Sequence, residues 1–278
     1  IETPHHADLL LTIYKEEPMA NLRLPGPTPV PEDVFEAMHK QMIDHRGDEF
    51  AALLRRVSAN LQRSFQTAND VFVLTSSGTG AMEAAIVNTL SPGDQVINVT
   101  VGVFGNRFGE IAEIFGAEVV TLSFPFGEAI DLDALRGVLK DNPDAKAVLV
   151  THNETSTGVA NDLEAVAAVV RGETDALLLV DGISSVASLP VSTDRWGCDV
   201  VASASQKGWM LPPGLAFISF SDRAWEAHAE ATMPRFYFDA SMYKHYFEIG
   251  QPPYTPPVSL MFALDLALDR LLAEGMGA

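Results

Sequence analysis

The sequence predicts an α/β protein built on a mostly parallel, seven-stranded sheet with helices on both faces. Three observations carry this. Short β-rich runs alternate with helical patterns along the chain, and most of those runs are apolar on both faces, as a strand must be when helices cover the sheet from either side. In addition, 47% of the 278 residues are hydrophobic, enough for a large core.

The seven runs fall at 71–74, 95–99, 118–122, 147–151, 177–180, 199–203 and 215–220. A helix at 48–65 leads into the first, because Phe50, Leu54, Val57, Leu61 and Phe65 recur at three- and four-residue steps. The turn Ser91-Pro92-Gly93-Asp94 feeds the second run, and a helix around 106–115 carries Phe108, Ile111 and Phe115 on one side. Asn161, with Glu164 three places on, reads as a capping box opening the next helix. The last clear element is an amphipathic helix at 258–272 that stops near Gly275. Upstream, the proline-rich stretch 25–31 is neither regular helix nor central strand, since proline removes donors and fixes φ.

Composition excludes several functions. A formal net charge of −19 with no basic cluster argues against a nucleic-acid or anionic-membrane surface, so a small anionic ligand must be held locally. No apolar run approaches the ~20 residues of a membrane span. The single cysteine, Cys198, rules out an internal disulfide framework and a multi-thiolate metal site, and suits a reducing compartment; a cytoplasmic location is expected, and no metal.

Ligands of parallel α/β sheets collect at the carboxyl ends of the strands, which makes four places here chemically loaded. Ser76-Ser77-Gly78-Thr79-Gly80 sits between a strand and a helix, where free amides and the helix dipole favour a phosphate, although a tight turn would use the same residues. Asp181 ends an apolar strand and needs a cationic or donor partner, a salt bridge or helix cap being the ordinary alternative. Lys207 follows another strand among small residues, where desolvation would favour the neutral amine. His152-Asn153-Glu154-Thr155-Ser156-Thr157-Gly158 supplies hydroxyl and amide groups beside them. An anion cradle, an acid, an amine and a polar wall describe one pocket.

Six ordered motifs resemble the class V aminotransferases among the fold-type I pyridoxal phosphate (PLP) enzymes, the group that includes alanine-glyoxylate and serine-glyoxylate aminotransferases. They are Pro25-Gly26-Pro27-Thr28, Ser77-Gly78-Thr79-Gly80, the 152–158 loop, Val180-Asp181, Ser205-Gln206-Lys207 and Tyr254-Thr255-Pro256-Pro257, spread over roughly residues 22–274. The resemblance implies that PLP is held as a Schiff base on Lys207, with Asp181 paired to the pyridine nitrogen. It places Ser77, Gly78, Thr79, Gly80 and Gln206 at the phosphate, Phe104 and Ile183 on opposite ring faces, Thr155 near the phenolic oxygen and Gly26 on the substrate side. Tyr254 and Thr255 would reach across a homodimer interface to the neighbouring subunit's phosphate.

The implied activity is ping-pong transfer of an amino group from alanine or serine to glyoxylate or pyruvate, with the freed Lys207 moving the proton. Another fold-type I chemistry, such as a cysteine desulfurase or lyase, and a PLP-fold protein acting as a binding or regulatory partner without turnover are the alternatives. The expected organisation is an N-terminal segment at 1–20, a PLP-binding large domain at 21–257 and a helix at 258–278 leading toward a small C-terminal domain that is missing from this sequence. That domain would bring the arginine for the substrate carboxylate; Arg23, Arg46 and Arg107 are the candidates within the chain, and the sequence does not rank them.

Overall fold

The structure, a computed structural model, describes residues 22–275, so the segment expected at 1–20 lies outside the described residues. Seven strands form one sheet: β1 (Val71–Ser76), β2 (Gln95–Thr100), β3 (Glu118–Ser123), β4 (Ala147–Thr151), β7 (Leu177–Asp181), β8 (Val200–Ala204) and β9 (Gly214–Phe220). Two short strands, β5 (Asn153–Glu154) and β6 (Val159–Ala160), make a separate ribbon above it. The order across the sheet is β1-β9-β8-β7-β4-β2-β3. The β2–β3, β2–β4, β4–β7 and β7–β8 pairs are parallel, and only β9, lying between β1 and β8, runs antiparallel to its neighbours.

The period-two alternation of strand side chains divides the core in two. One face buries Ile97, Val99, Val148, Val150, Leu178, Val180 and Phe217 against α1 (Glu32–Ala37), α2 (Asp48–Phe65), α5 (Leu132–Asp141), α6 (Leu163–Glu173) and α10 (Val258–Glu274). The other buries Leu74, Val96, Leu149, Leu179, Ala202 and Ile218 against α3 (Gly78–Thr89), α4 (Val103–Ile114), α8 (Asp222–Glu230) and α9 (Ala240–Glu248). α7 (Thr193–Trp196) is a single turn before β8.

The α2 helix matches the expected span: Phe50, Val57, Leu61 and Phe65 are fully buried, each apolar side chain contributing about 1.5–3 kcal/mol over its exposed state. Val258, which opens α10, begins a buried run including Met261, Leu264 and Leu268 in the same core cluster as α2, so the two helices share one core. A bidentate Arg56–Asp265 pair at 2.6–2.7 Å clips the two helices together at the surface.

Local details differ from the sequence expectation for identifiable reasons. The helix expected around 106–115 starts earlier, at Val103, because its first turn is capped from elsewhere in the chain. The capping box shifts by one: Asp162, not Asn161, caps α6 by accepting from the Ala165 amide at 3.0 Å. Asn161 is instead buried and ties two segments, donating to the Thr151 carbonyl and accepting from the Ile130 amide. β8 begins at Val200, because the Asp199 carboxylate is occupied at the amino end of the sheet by Arg171, the Leu178 amide and the Ser221 hydroxyl.

Candidate active site

The carboxyl ends of β1, β4, β7 and β8 open onto one cleft of about 140 Å³. The first turn of α3 closes one side of it. Ser77 takes an extended conformation at the N-cap, with φ −90° and ψ 169°, and offers no side-chain cap. The Gly78 and Thr79 amides have no protein acceptor among the described residues, and the first turn carries no acid. Such an end attracts an anion. Glycine is needed at 78 for close packing: a Cβ there would stand 2.5 Å from Ile183 Cδ1 and 3.2 Å from Ala204 Cβ.

Asp181, the last residue of β7, is only 4% exposed. Its Oδ1 accepts from the Ile183 amide at 3.0 Å, while Oδ2 has a 3.4 Å contact from the Thr151 hydroxyl. Burial pushes its pKa up to about 6; the Ile183 amide opposes this, the Glu154 charge adds to it, and Thr151 and Arg107 oppose it more weakly. A protonated ring nitrogen would supply the charge and the strong donor that this carboxylate lacks.

Lys207 lies in the connection between β8 and β9. Trp209 anchors that loop in the core, donating to Ser203 Oγ at 2.9 Å and packing against Phe65 and Phe217. The Pro25–Thr28 loop docks over it: Thr28 N donates to the Gln206 carbonyl at 3.1 Å, Thr28 Oγ1 to the Lys207 carbonyl at 3.0 Å, and Lys207 Nζ to the Pro25 carbonyl at 3.1 Å. Gly26 is in direct contact with the amine, since a Cβ there would lie 2.7 Å from Nζ. Burial lowers the lysine pKa, with Asp181 pulling the other way.

Phe104 and Arg107, one turn apart on α4, line the facing wall, and the Arg107 guanidinium sits 5.0 Å from the Phe104 ring centre. Arg107 has no ion pair among the described residues. Of the three arginines considered from sequence it alone reaches the cleft; Arg46 bonds Gln251 at 3.0 Å, and Arg23 is exposed. The polar wall is Asn153 and Thr155 of the loop expected from sequence, with Ser184, which sequence reasoning did not single out. Thr155 Oγ1 and Asn153 Nδ2 both bond Ser184 Oγ, at 3.0 and 2.9 Å.

The cleft thus brings together Ser77, Gly78, Thr79, Phe104, Thr155, Asp181, Ile183, Gln206 and Lys207. Gly80 does not line it; there a Cβ would fall 2.1 Å from Ser76 Oγ, so this glycine serves packing. Tyr254 and Thr255 also lie outside. Tyr254 stacks on Tyr237 with ring centres 4.7 Å apart and donates to the Phe236 carbonyl at 2.8 Å, and Thr255 is exposed. His152 does not line the cleft; it is buried edge-on to Trp196, and burial pushes its pKa down to about 4. Cys198 is buried before β8, at the opposite end of the sheet, where burial and Asp199 push its thiol up to about 12; a desulfurase nucleophile has no support there.

The fold matches that of PLP-type transferases, and comparison with known proteins fixes the family. The family model for class-V aminotransferases matches residues 21–276, and the chain belongs to that family. It is therefore a transaminase by class. The chain is 47% identical over 262 residues to a protein of Synechococcus sp. (strain PCC 6716) named soluble hydrogenase, small subunit, covering 93% of this chain and 68% of that protein. It is 41% identical over 258 residues to the L-aspartate–glyoxylate aminotransferase of Paracoccus denitrificans, covering 91% and 65%. The crystal structure of alanine–glyoxylate aminotransferase from Nostoc sp. superposes with a TM-score of 0.87 at 34% identity, over 91% of this chain and 68% of that one. The chain thus spans about two thirds of the length of these relatives. No helix among the described residues is long and apolar enough to cross a membrane, and no cluster of three or more His, Cys, Asp or Glu side chains among them could hold a metal ion.

Proposed function

We propose that this chain is the cofactor-holding large domain, with the helix that follows it, of a PLP-dependent aminotransferase that transfers the amino group of a small amino acid, alanine or serine, to a small 2-oxo acid such as glyoxylate or pyruvate. The observation that carries this is the convergence of an amine, a buried carboxylate and an open helix end in one cleft. The names of the relatives, which include aspartate–glyoxylate and serine–glyoxylate aminotransferases, support a small amino donor and glyoxylate as acceptor.

Bound PLP supplies an electron sink for the α-carbon and a carrier for the amino group. Lys207 would hold it covalently, and Asp181 would balance the charge on the ring nitrogen. The Gly78 and Thr79 amides, with Ser77 and Gln206, would take the phosphate; Phe104 and Ile183 would flank the ring, and Thr155 would face the phenolic oxygen. Lys207 Nζ would take the proton from the substrate's α-carbon and give it up again within the same cleft, and burial, by lowering its pKa from the ordinary lysine value, favours the neutral amine this needs. The keto acid leaves before the second substrate enters, which is ping-pong kinetics.

Gly26, beside the amine, would border the substrate. Tyr254 and Thr255 lie on an aromatic surface with Phe236 and Tyr237, the former 79% exposed, which favours a homodimer in which they serve the neighbouring phosphate. The setting that suits this chain is the cytoplasm.

The test is the absorption spectrum of the full-length protein and its Lys207→Ala variant with PLP, then with alanine or serine. A borohydride-reducible band in the wild type alone, lost on adding amino acid, is the expected result, with turnover in the variant down about 10³-fold or more. No band in the wild type would leave the fold without this chemistry.

A further inference from the structure

Glu154 is fully buried, yet it does not line the cleft as its neighbours Asn153 and Thr155 do. Its carboxylate is directed at the first turn of α4, fifty residues away in sequence. Oε2 accepts from the amides of Phe104 and Gly105, each at 3.0 Å. Oε1 accepts from the Ser156 amide at 3.0 Å and from its hydroxyl at 2.6 Å, and Ser156 Oγ accepts in turn from the Val103 amide at 3.0 Å. The three leading amides of α4, which a helix leaves without internal partners, are therefore all satisfied from one loop. The approach requires Gly102, where a Cβ would meet Glu154 Cγ at 2.5 Å.

We propose that Glu154, with Ser156, is a positioning residue: by capping α4 from another strand end it holds Phe104 in place against the wall formed by Asn153 and Thr155. This rests on the reading of Phe104 as the residue that stacks on the cofactor ring. Both oxygens of Glu154 face two donors each, so glutamine cannot replace it; its single acceptor oxygen serves one pair and its NH₂ group confronts the other. The first turn of α4 then loses its anchor, and Phe104 with it.

The experiment is a PLP titration of the cofactor-free full-length protein in four forms: wild type, Glu154→Gln, Phe104→Ala and the double variant. Glu154→Gln should weaken PLP binding about five- to tenfold, the equivalent of one lost aromatic stack, and Phe104→Ala should do the same. The double variant should bind no worse than Phe104→Ala alone, because Glu154 acts through that ring. Multiplying losses would mean a general structural role and overturn the proposal alone. An unchanged affinity in Phe104→Ala would sink the reading of the ring and the proposal with it. If thermal melting shows that Glu154→Gln does not fold, Ser156→Ala in the same cycle decides the question, with about a two- to threefold effect expected in the Phe104 background and none without it.

Discussion

Two helices begin side by side at the same edge of the sheet, and their first turns are treated in opposite ways. Neither α3 nor α4 has a side-chain cap of its own at the N-cap position. In α4 the protein brings in a carboxylate and a hydroxyl from the β4 side and closes the end. In α3 the Gly78 and Thr79 amides are left to whatever enters the cleft. The two buried carboxylates repeat the contrast: Glu154 has four donors, Asp181 one firm donor and one long contact. For these two carboxylates the difference is between one saturated by the scaffold and one, lining the cleft, with capacity left for a ligand's donor.

The sharpest way to break this comparison is to give α3 what α4 already has. Thr79→Asp places a carboxylate in the first turn of α3. It should leave the cofactor-free protein as stable or about 0.5 kcal/mol more so, through the helix dipole, while weakening PLP binding about 100-fold by repulsion of the phosphate. Melting curves and a PLP titration check both; an unchanged affinity would place the phosphate elsewhere.

Asp181→Asn probes the under-saturated carboxylate through stability alone. Its pKa is about 6 in the folded, cofactor-free protein against 3.8 in the unfolded chain, so between those values the folded state binds more protons. Stability therefore falls as pH rises through that window, by about 3 kcal/mol, and returns as pH drops toward 4. Relative to wild type, the asparagine variant should gain that amount above pH 7 and nothing near pH 4, measured by urea unfolding at each pH. A difference independent of pH would mean that Asp181 is not strained by burial. The smallest effect is expected at the closed end: Ser156→Ala should cost about 1 kcal/mol, the usual loss of a cap, read from the same unfolding curves.

The sheet was legible because its strands are apolar and bounded by turn residues, and the meeting of Lys207, Asp181 and Ser77–Thr79 in one cleft was legible because each lies at or just past the end of a strand. The reversed direction of β9 was not, since a run such as 215–220 reads the same either way. The role of Glu154 was hidden for a related reason: its partners are amides in another segment, and backbone donors leave no mark on a sequence. Ser184 could have been found with the 152–158 loop, as a polar residue three places past the end of β7, the parallel neighbour of β4. Asn161 misled because a cap and a buried cross-link ask for the same side chain, and its neighbour Asp162 served equally well as the cap.

The β8–β9 connection also carries a consequence in time. Lys207 sits in a short antiparallel hairpin whose loop is tied within itself, Leu211 N to Ser205 O and Ser205 Oγ to Pro212 O. Asp181, by contrast, takes its place through parallel pairing of β7 with β8, about twenty residues later, and with β4, thirty residues earlier, each across an intervening helix. Short loops close at lower entropic cost than long ones, so the expected order of assembly puts the amine in position before its carboxylate. A chain still folding would thus hold its lysine in the hairpin while the amine is still solvated, and the desolvation that favours the neutral form would arrive only when the rest of the sheet and the Pro25–Thr28 loop close over it.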